Sequence, residues 1–384
     1  MTDDTSEKKI HVTQPFLPPL EEFLPYVEEI WENRFLTNGG PLHQRLERDL
    51  ADYLGVEHLA LFNNGTIALI TALQALEITG EVITTPFSFV ATTNALIWNK
   101  NTPVFVDIDP ETLNLDPARI EAAITDKTSA ILPVHCYGNP CDMEAIHEIA
   151  ERHGLKVVYD AAHAFGVRDA QGSVLARGDL ATLSLHATKV FNTFEGGAII
   201  CPDAETKEHI DQLKNFGIVD ELTIKVAGSN GKMSEIHAAM GLAQLGHIDA
   251  CIDRRGEIDA AYRAALADVP GIEPLPKLGQ TRANYAYFPV ILDERYPLSR
   301  DELYDALRAQ NILTRRYFFP LLSQLPMYAG LPSAGAENLP VATEMGRRVL
   351  CLPIFPAMED GDIARICAAL RAPVSAGIIP TAAE

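Results

Sequence analysis

Short apolar runs, rich in β-branched residues and bounded by polar or turn-forming residues, recur along the first two thirds of the chain. They cover His58 to Phe62, Glu81 to Thr84, Pro103 to Val106, Ser129 to Val134, Leu155 to Asp160, Leu180 to Leu185 and Ala198 to Cys201. Runs this short read as strands buried on both faces. Between several of them the apolar spacing changes to the helical period, at Ile67 to Leu76, Asp116 to Ile124 and Met143 to His153. Such alternation predicts βαβ units and an α/β fold, with a mostly parallel seven-stranded sheet flanked by helices.

After a turn at Gly228 to Met233 the pattern predicts a long helix from about Ser234 through Arg263. Pro270-Gly271, Pro274 and Pro276 then punctuate the chain. A strand-like run follows at Tyr285 to Leu292, with helical patterns at Arg300 to Gln310 and Gly361 to Arg371. This last part reads as a smaller α+β domain. A chain of 384 residues exceeds one simple core. The expected division is a large domain over residues 10–255 and a small C-terminal domain over 256–384.

Composition narrows the partners. Hydrophobic residues make up 47% and charged residues 22%, the balance of a globular protein able to bury a sizeable core. A formal charge of −21 argues against nucleic acid or an anionic membrane surface as a general partner. An anionic small molecule would need a local basic pocket. The doublets Arg254-Arg255, Arg315-Arg316 and Arg347-Arg348 are candidates, although such pairs also make ordinary solvated helix faces. The first ten residues, with Asp3, Asp4, Glu7, Lys8 and Lys9, lack the apolar stretch of a signal peptide, and no later run approaches a membrane span. The expectation is a cytoplasmic protein whose six cysteines are reduced thiols. His135-Cys136 and Cys141 are too loosely spaced, with no second Cys/His pair nearby, to suggest zinc.

The candidate chemistry lies where strands end. Asp160-Ala161-Ala162-His163 follows one apolar run, and Ser184-Leu185-His186-Ala187-Thr188-Lys189 follows another. In open α/β sheets that edge binds ligands. A buried carboxylate and a buried amine there are costly unless they are paired or used. Pyridoxal phosphate (PLP) needs both, an amine for its carbonyl and an acid to keep its pyridine nitrogen protonated. Asn63-Asn64-Gly65-Thr66 joins a strand to a helix, where free N–H groups can cradle a phosphate or simply be capped by Asn64. Phe89, in Thr85-Pro86-Phe87-Ser88-Phe89, brings an aromatic ring to the same edge. Gly196-Gly197 would let the chain turn and come close to the cofactor. No Gly-x-x-x-x-Gly-Lys or Gly-x-Gly-x-x-Gly fingerprint is present, which disfavours a P-loop or a nicotinamide oxidoreductase.

Taken together, these segments resemble the DegT/DnrJ/StrS sugar aminotransferases, which are fold type I PLP enzymes. The resemblance runs from Pro15-Phe16-Leu17 and Leu36-Thr37-Asn38-Gly39-Gly40 through Asn64-Gly65-Thr66 and the two strand ends. It continues through Glu195-Gly196-Gly197, Asn215-Phe216-Gly217 and Gly228-Ser229-Asn230-Gly231-Lys232-Met233-Ser234 to Tyr317-Phe318-Phe319-Pro320-Leu321. It implies that Lys189 carries the cofactor and Asp160 pairs with its pyridinium nitrogen. His163 would lie over one face of the ring and Phe89 over the other. Thr66, Ser184 and the backbone around Gly65 and Ile67 would hold the phosphate. Asn230 would come from a neighbouring subunit, which implies a homodimer with shared active sites. His186, Arg315, Arg316 and Tyr317 are the candidates for substrate contact.

A lysine at position 189, where some relatives carry histidine and dehydrate, implies transamination. Gly231-Lys232, where relatives often have an aromatic residue and Arg, and Cys141 depart from the family pattern. The implied reaction moves an amino group from L-glutamate to a keto nucleotide sugar. The N-terminal stretch and Phe191-Asn192-Thr193-Phe194-Glu195 look closest to enzymes that make dTDP-4-amino-4,6-dideoxyglucose from dTDP-4-keto-6-deoxyglucose for surface polysaccharide. The alternatives are a 3-keto or UDP-linked keto-sugar, a cyclitol ketone, or a catalytically idle PLP-fold regulator.

Overall fold

In the computed structural model, which describes residues 8–375, the apolar runs assemble into the centre of one sheet. Asp3, Asp4, Glu7 and residues 376–384 lie outside the described residues. In chain order come α1 (Leu20–Asn33), α2 (Pro41–Leu54), β1 (His58–Phe62), α3 (Gly65–Ala75), β2 (Glu81–Thr84), α4 (Ala91–Trp98), β3 (Thr102–Phe105) and β4 (Thr128–Leu132). There follow α5 (Met143–His153), β5 (Lys156–Asp160), a small hairpin of β6 (Arg168–Asp169) and β7 (Gly172–Ser173), β8 (Leu180–Ser184), β9 (Gly197–Cys201) and α6 (Ala204–Leu213).

The seven-stranded sheet has the order β1-β9-β8-β5-β4-β2-β3, and only β9 runs against the rest. Both faces are covered. Val157 and Tyr159 of β5 pack into one apolar cluster with Leu61, Ile83 and Leu183, while Val158 between them packs into a second with Phe62, Val82 and Leu132. Period-two side chains that are apolar on both sides explain why these strands read as continuous hydrophobic runs. All six parallel strands end on one edge.

The chain continues through α7 (Glu235–Leu245), α8 (Ile248–Leu266), β10 (Ile272–Pro274), β11 (Phe288–Leu292), α9 (Arg300–Ala309), α10 (Pro340–Arg348), β12 (Val349–Leu352) and α11 (Asp360–Ser375). Strands β10, β11 and β12 form an antiparallel sheet in that order. Helix α8 links two cores: Ile248 and Ile252 belong to the cluster under the large sheet, and Ile258, Tyr262 and Leu266 to the cluster on the small one. Ile10 joins the small-sheet cluster from the other end of the chain, through a bridge to Ile312.

Three expected elements differ. Asp116 to Ile124 forms two 3₁₀ turns, Pro117–Arg119 and Glu121–Ala123, because the Asp116 side chain accepts from the Ala118 N–H and closes a tight turn. The long helix of Ser234 to Arg263 is two helices, divided at Gly246 and His247, where the buried face passes from one core to the other. Tyr285 adopts φ +50, so the strand expected from there begins only at Phe288. Helices α1, α2, α4, α6 and α10 and strand β12 are additional to the sequence reading.

Glu235 ties α7 to α2. It is fully buried, and its two carboxylate oxygens accept the N–H groups of Leu42 and His43 at 2.8 and 3.0 Å, in the otherwise uncapped first turn of α2. Glu235→Ala leaves two buried donors unpaired and removes the charge complementary to the helix N-terminus. It is expected to lower unfolding stability by about 2 kcal/mol or more. Urea denaturation checks this, and an unchanged midpoint would contradict it.

Candidate active site

The ends of β1, β2, β5 and β8 surround a cleft of about 350 Å³, which Tyr287, Tyr317 and Phe318 close from the C-terminal part of the chain. Asp160 is the last residue of β5 and is 6% exposed. Its backbone is fixed on one side, its N–H bonding the Pro133 carbonyl and its carbonyl accepting from His135. The side chain accepts from Thr92 Oγ1 at 2.7 Å and from the Ala162 N–H at 3.2 Å. Burial pushes the carboxyl up, opposed by these two hydrogen bonds and by the charge of Lys189. Lys189 lies in the loop after β8 and lines the same cleft. Burial pulls its ammonium down to about 8, with Asp160 opposing. An amine and an acid from neighbouring strand ends thus share one cavity, and the amine is held where it can lose its proton.

His163, one turn beyond Asp160, is buried, and its Nδ1 has no partner. Its ring meets Tyr287 edge-on at 4.8 Å and lies parallel to Phe318 at 6.0 Å. Burial and the nearby Lys189 hold it far below the usual histidine range, so it is a neutral, flat wall. Phe89, 58% exposed, also lines the cleft.

At the start of α3 a plain cap and a free cradle coexist. Asn64 Oδ1 accepts the Ile67 N–H at 2.8 Å. That bond corrects the expectation for Ile67, whose N–H is already spent on its own helix. The N–H groups of Gly65 and Thr66 have no acceptor among the described residues, and they stand beside Ser184 at the cleft. A Cβ on Gly65 would meet Ser184 Cβ at 3.0 Å, so glycine is what lets β8 and this turn close together. Gly197 plays the same part from β9: a Cβ there would fall 2.5 Å from the Asn64 carbonyl. The glycine pair is thus explained at Gly197 by contact with the β1–α3 turn rather than by approach to a cofactor.

The arginine candidates do not reach the cleft. Arg316 Nε lies 2.9 Å from Asp301 Oδ1, and its guanidinium stacks 3.9 Å over Tyr304. Arg315 is exposed and pairs through its backbone with Cys351. Only Tyr317 of that triplet lines the cavity. The other doublets are also engaged: Arg254 pairs with Glu257 and Asp360, Arg255 donates to the Ile354 carbonyl, and Arg348 pairs with Glu344. His186 sits at the exposed mouth, with Nδ1 2.9 Å from Thr188 Oγ1 and Nε2 3.7 Å from Glu195. Asn230 is exposed, bridges to Asn215 and does not line this cleft. Sequence reasoning missed Ser88, Thr92, Tyr287 and Phe318. Their only signal is position, just beyond β2 or on the segments that close the cleft.

The cavity suits pyridoxal phosphate. A neutral imidazole and a phenyl ring line it, a carboxylate has acceptor capacity to spare, an amine can lose its proton, and unpartnered N–H groups stand at a helix start.

A sequence profile of the DegT/DnrJ/EryC1/StrS aminotransferase family matches residues 20–371. The chain is 56% identical over 362 residues to dTDP-4-amino-4,6-dideoxy-D-glucose transaminase of Escherichia coli, covering 94% of this chain and 98% of that one. It is 35% identical to GDP-perosamine synthase of Caulobacter vibrioides, covering 94% and 97%. Among solved structures, DesI in the presence of its TDP-sugar product superposes with a TM-score of 0.89 at 37% identity, covering 97% of this chain and 95% of that one.

The lowered Lys189 ammonium gives a direct test. A neutral amine is the nucleophile, so labelling of Lys189 by an amine reagent, followed by mass spectrometry, should rise with pH to half its maximum near about 8. Asp160→Asn removes the charge that supports the ammonium and should move the midpoint lower still. A midpoint at the ordinary lysine value of 10.5 would contradict the buried site.

Proposed function

This chain belongs to the DegT/DnrJ/EryC1/StrS aminotransferase family, and from that premise we propose that it carries an amino group from L-glutamate to C4 of dTDP-4-keto-6-deoxyglucose, giving dTDP-4-amino-4,6-dideoxyglucose. The observation that carries the chemistry is the convergence of Lys189 and Asp160 in one cleft. The choice of sugar rests on the 56% identity to the E. coli transaminase along nearly the whole of both chains. The enzyme is a PLP-dependent transaminase.

Bound pyridoxal phosphate supplies a carbonyl that condenses with amines and a ring that accepts the electron pair left when a proton departs. The chain's own residues do the rest. Asp160 holds a proton on the ring nitrogen. Lys189 would anchor the cofactor, and as a neutral amine it would serve as the base for the donor's α-proton. Thr66, Ser184 and the Gly65 and Thr66 N–H groups hold the phosphate. His163 and Phe89 would pack against the ring's faces, and His163 would do so without adding a charge. His186 and Tyr317 face the substrate at the mouth.

Asn230 completes the site of a neighbouring subunit in a homodimer. Its support is the segment around it, where Phe216, Ile218, Leu222 and Ile224 are exposed, together with Leu20, Trp31 and Leu36 at the N-terminal end. Apolar side chains this exposed mark a surface that another protein covers. The large and small domains divide at residues 255 and 256, within α8. The enzyme acts in the cytoplasm, in the synthesis of surface polysaccharide; no helix among the described residues is long and apolar enough to cross a membrane.

Purified protein with PLP and L-glutamate is expected to aminate dTDP-4-keto-6-deoxyglucose in preference to a 3-keto isomer or a UDP-linked 4-keto sugar, as read by mass spectrometry and NMR of the product. Preferred turnover of either alternative would overturn the sugar assignment. Lys189→Ala is expected to fold normally and lose about 10³-fold or more in turnover, the scale of a missing general base and anchor. Retained turnover would remove Lys189 from its role.

A further inference from the structure

Two hydroxyl groups lie behind Asp160. Thr92 is fully buried in the first turn of α4, with Oγ1 2.7 Å from Asp160 Oδ2. Ser88, 4% exposed in the loop between β2 and α4, places Oγ 2.8 Å from Thr92 Oγ1. Proton counting fixes the direction of both bonds. An ionised carboxylate only accepts, and a threonine hydroxyl has one proton to give. Thr92 therefore donates to Asp160 and accepts from Ser88, so both O–H dipoles point at the carboxylate. The Ala162 N–H donates to the other oxygen at 3.2 Å. The first turn of α4 adds partial positive charge from its free N–H groups.

These donors act against burial, which favours the neutral acid. The distinction matters because only the carboxylate form supplies the negative charge that pairs with a protonated ring nitrogen. A protonated Asp160 would direct an O–H at the nitrogen and lose the charge pairing. We propose that Thr92, oriented by Ser88, is a positioning residue that keeps Asp160 ionised and aimed at the cofactor's ring nitrogen, and so sets how far the pH can fall before the cofactor is held less tightly and activated less. This rests on the reading of Asp160 as the partner of that nitrogen.

The surroundings make the role separable. The titratable groups around Asp160 are Lys189 after β8, His163 after β5, His135 and Cys136 after β4, and Tyr287 and Tyr317 from the C-terminal wall, with His186 and Glu195 at the cleft mouth. Burial holds His163 neutral and the Cys136 thiol protonated, which leaves Lys189 as the opposing charge. The segment 85–98 that carries Ser88 and Thr92 has no titratable side chain. A change there alters hydrogen bonding to Asp160 and introduces no new charge.

The test compares wild type, Thr92→Val, Thr92→Ser, Ser88→Ala and Asp160→Asn by two readouts: the PLP dissociation constant against pH, from equilibrium dialysis, and the pH profile of the half-reaction with L-glutamate. Thr92→Val should bind PLP about tenfold more weakly, with the acid limb of both profiles about one pH unit higher. Thr92→Ser, which restores the donor, should return to within about twofold of wild type, and Ser88→Ala should fall between. If Thr92→Val superimposes on wild type, or Thr92→Ser is as defective as Thr92→Val, the proposal is overturned. If Ser88→Ala superimposes on wild type, Ser88 leaves the relay. If Asp160→Asn itself binds PLP with the wild-type pH dependence, it is the reading of Asp160 that fails.

Discussion

The structure depends on keeping two opposite charges out of water at the ends of neighbouring strands. A carboxylate closing β5 and an amine just past β8 would each destabilise a core if left alone. Here each lowers the other's cost: burial pushes the Asp160 carboxyl up and pulls the Lys189 ammonium down to about 8, and each charge opposes the shift of the other. The surrounding arrangement serves that condition. Strands buried on both faces hold the two ends rigidly, and α4 brings donors to the acid. The turn from β1 into α3 offers unpartnered N–H groups on the other side of the same cleft.

The C-terminal part of the chain supplies the remaining wall. Phe318 lies parallel to Tyr137, in the turn after β4, at 5.9 Å and meets Phe87 edge-on at 5.8 Å, within a cluster that draws on both parts of the chain. Tyr287 and Phe318 reach His163 from that cluster. One wall of the site is therefore built by the packing between the two parts of the chain, from residues far from Lys189 in sequence. Burial lowers both the Lys189 ammonium and the His163 imidazolium, but Asp160 opposes the shift at Lys189 whereas the charge of Lys189 adds to it at His163.

Much of this was legible in the sequence. The seven runs of the large sheet are apolar on both faces, so their strands stand out, and a polar residue where such a run stops marks the ligand edge. Asp160, Lys189, Gly65, Ser184 and His163 all line one cleft. What escaped was structure without a strong period or with a competing signal. Helix α4, Ala91–Trp98, is short and has little amphipathic contrast, so Thr92 gave no sign of its contact with Asp160. Helix α2 did carry a stripe, Leu42, Leu46, Leu50 and Leu54, between Pro41 and Gly55, and its pattern could have been found. The engagement of the Ile67 N–H and of the Arg316 guanidinium was not legible, because a sequence shows that a donor or a charge exists but not that a neighbour has already claimed it. Asn64 and Asp301 are those neighbours.

The central claim is that Asp160 is ionised in the closed site and keeps a proton on the cofactor's ring. The most direct measurement is the ¹⁵N resonance of ring-labelled pyridoxal phosphate bound to the protein near neutral pH. The account predicts a pyridinium signal in the wild type that moves to the unprotonated pyridine position in Asp160→Asn. An unprotonated ring nitrogen in the wild type, or the same resonance in both proteins, would contradict it.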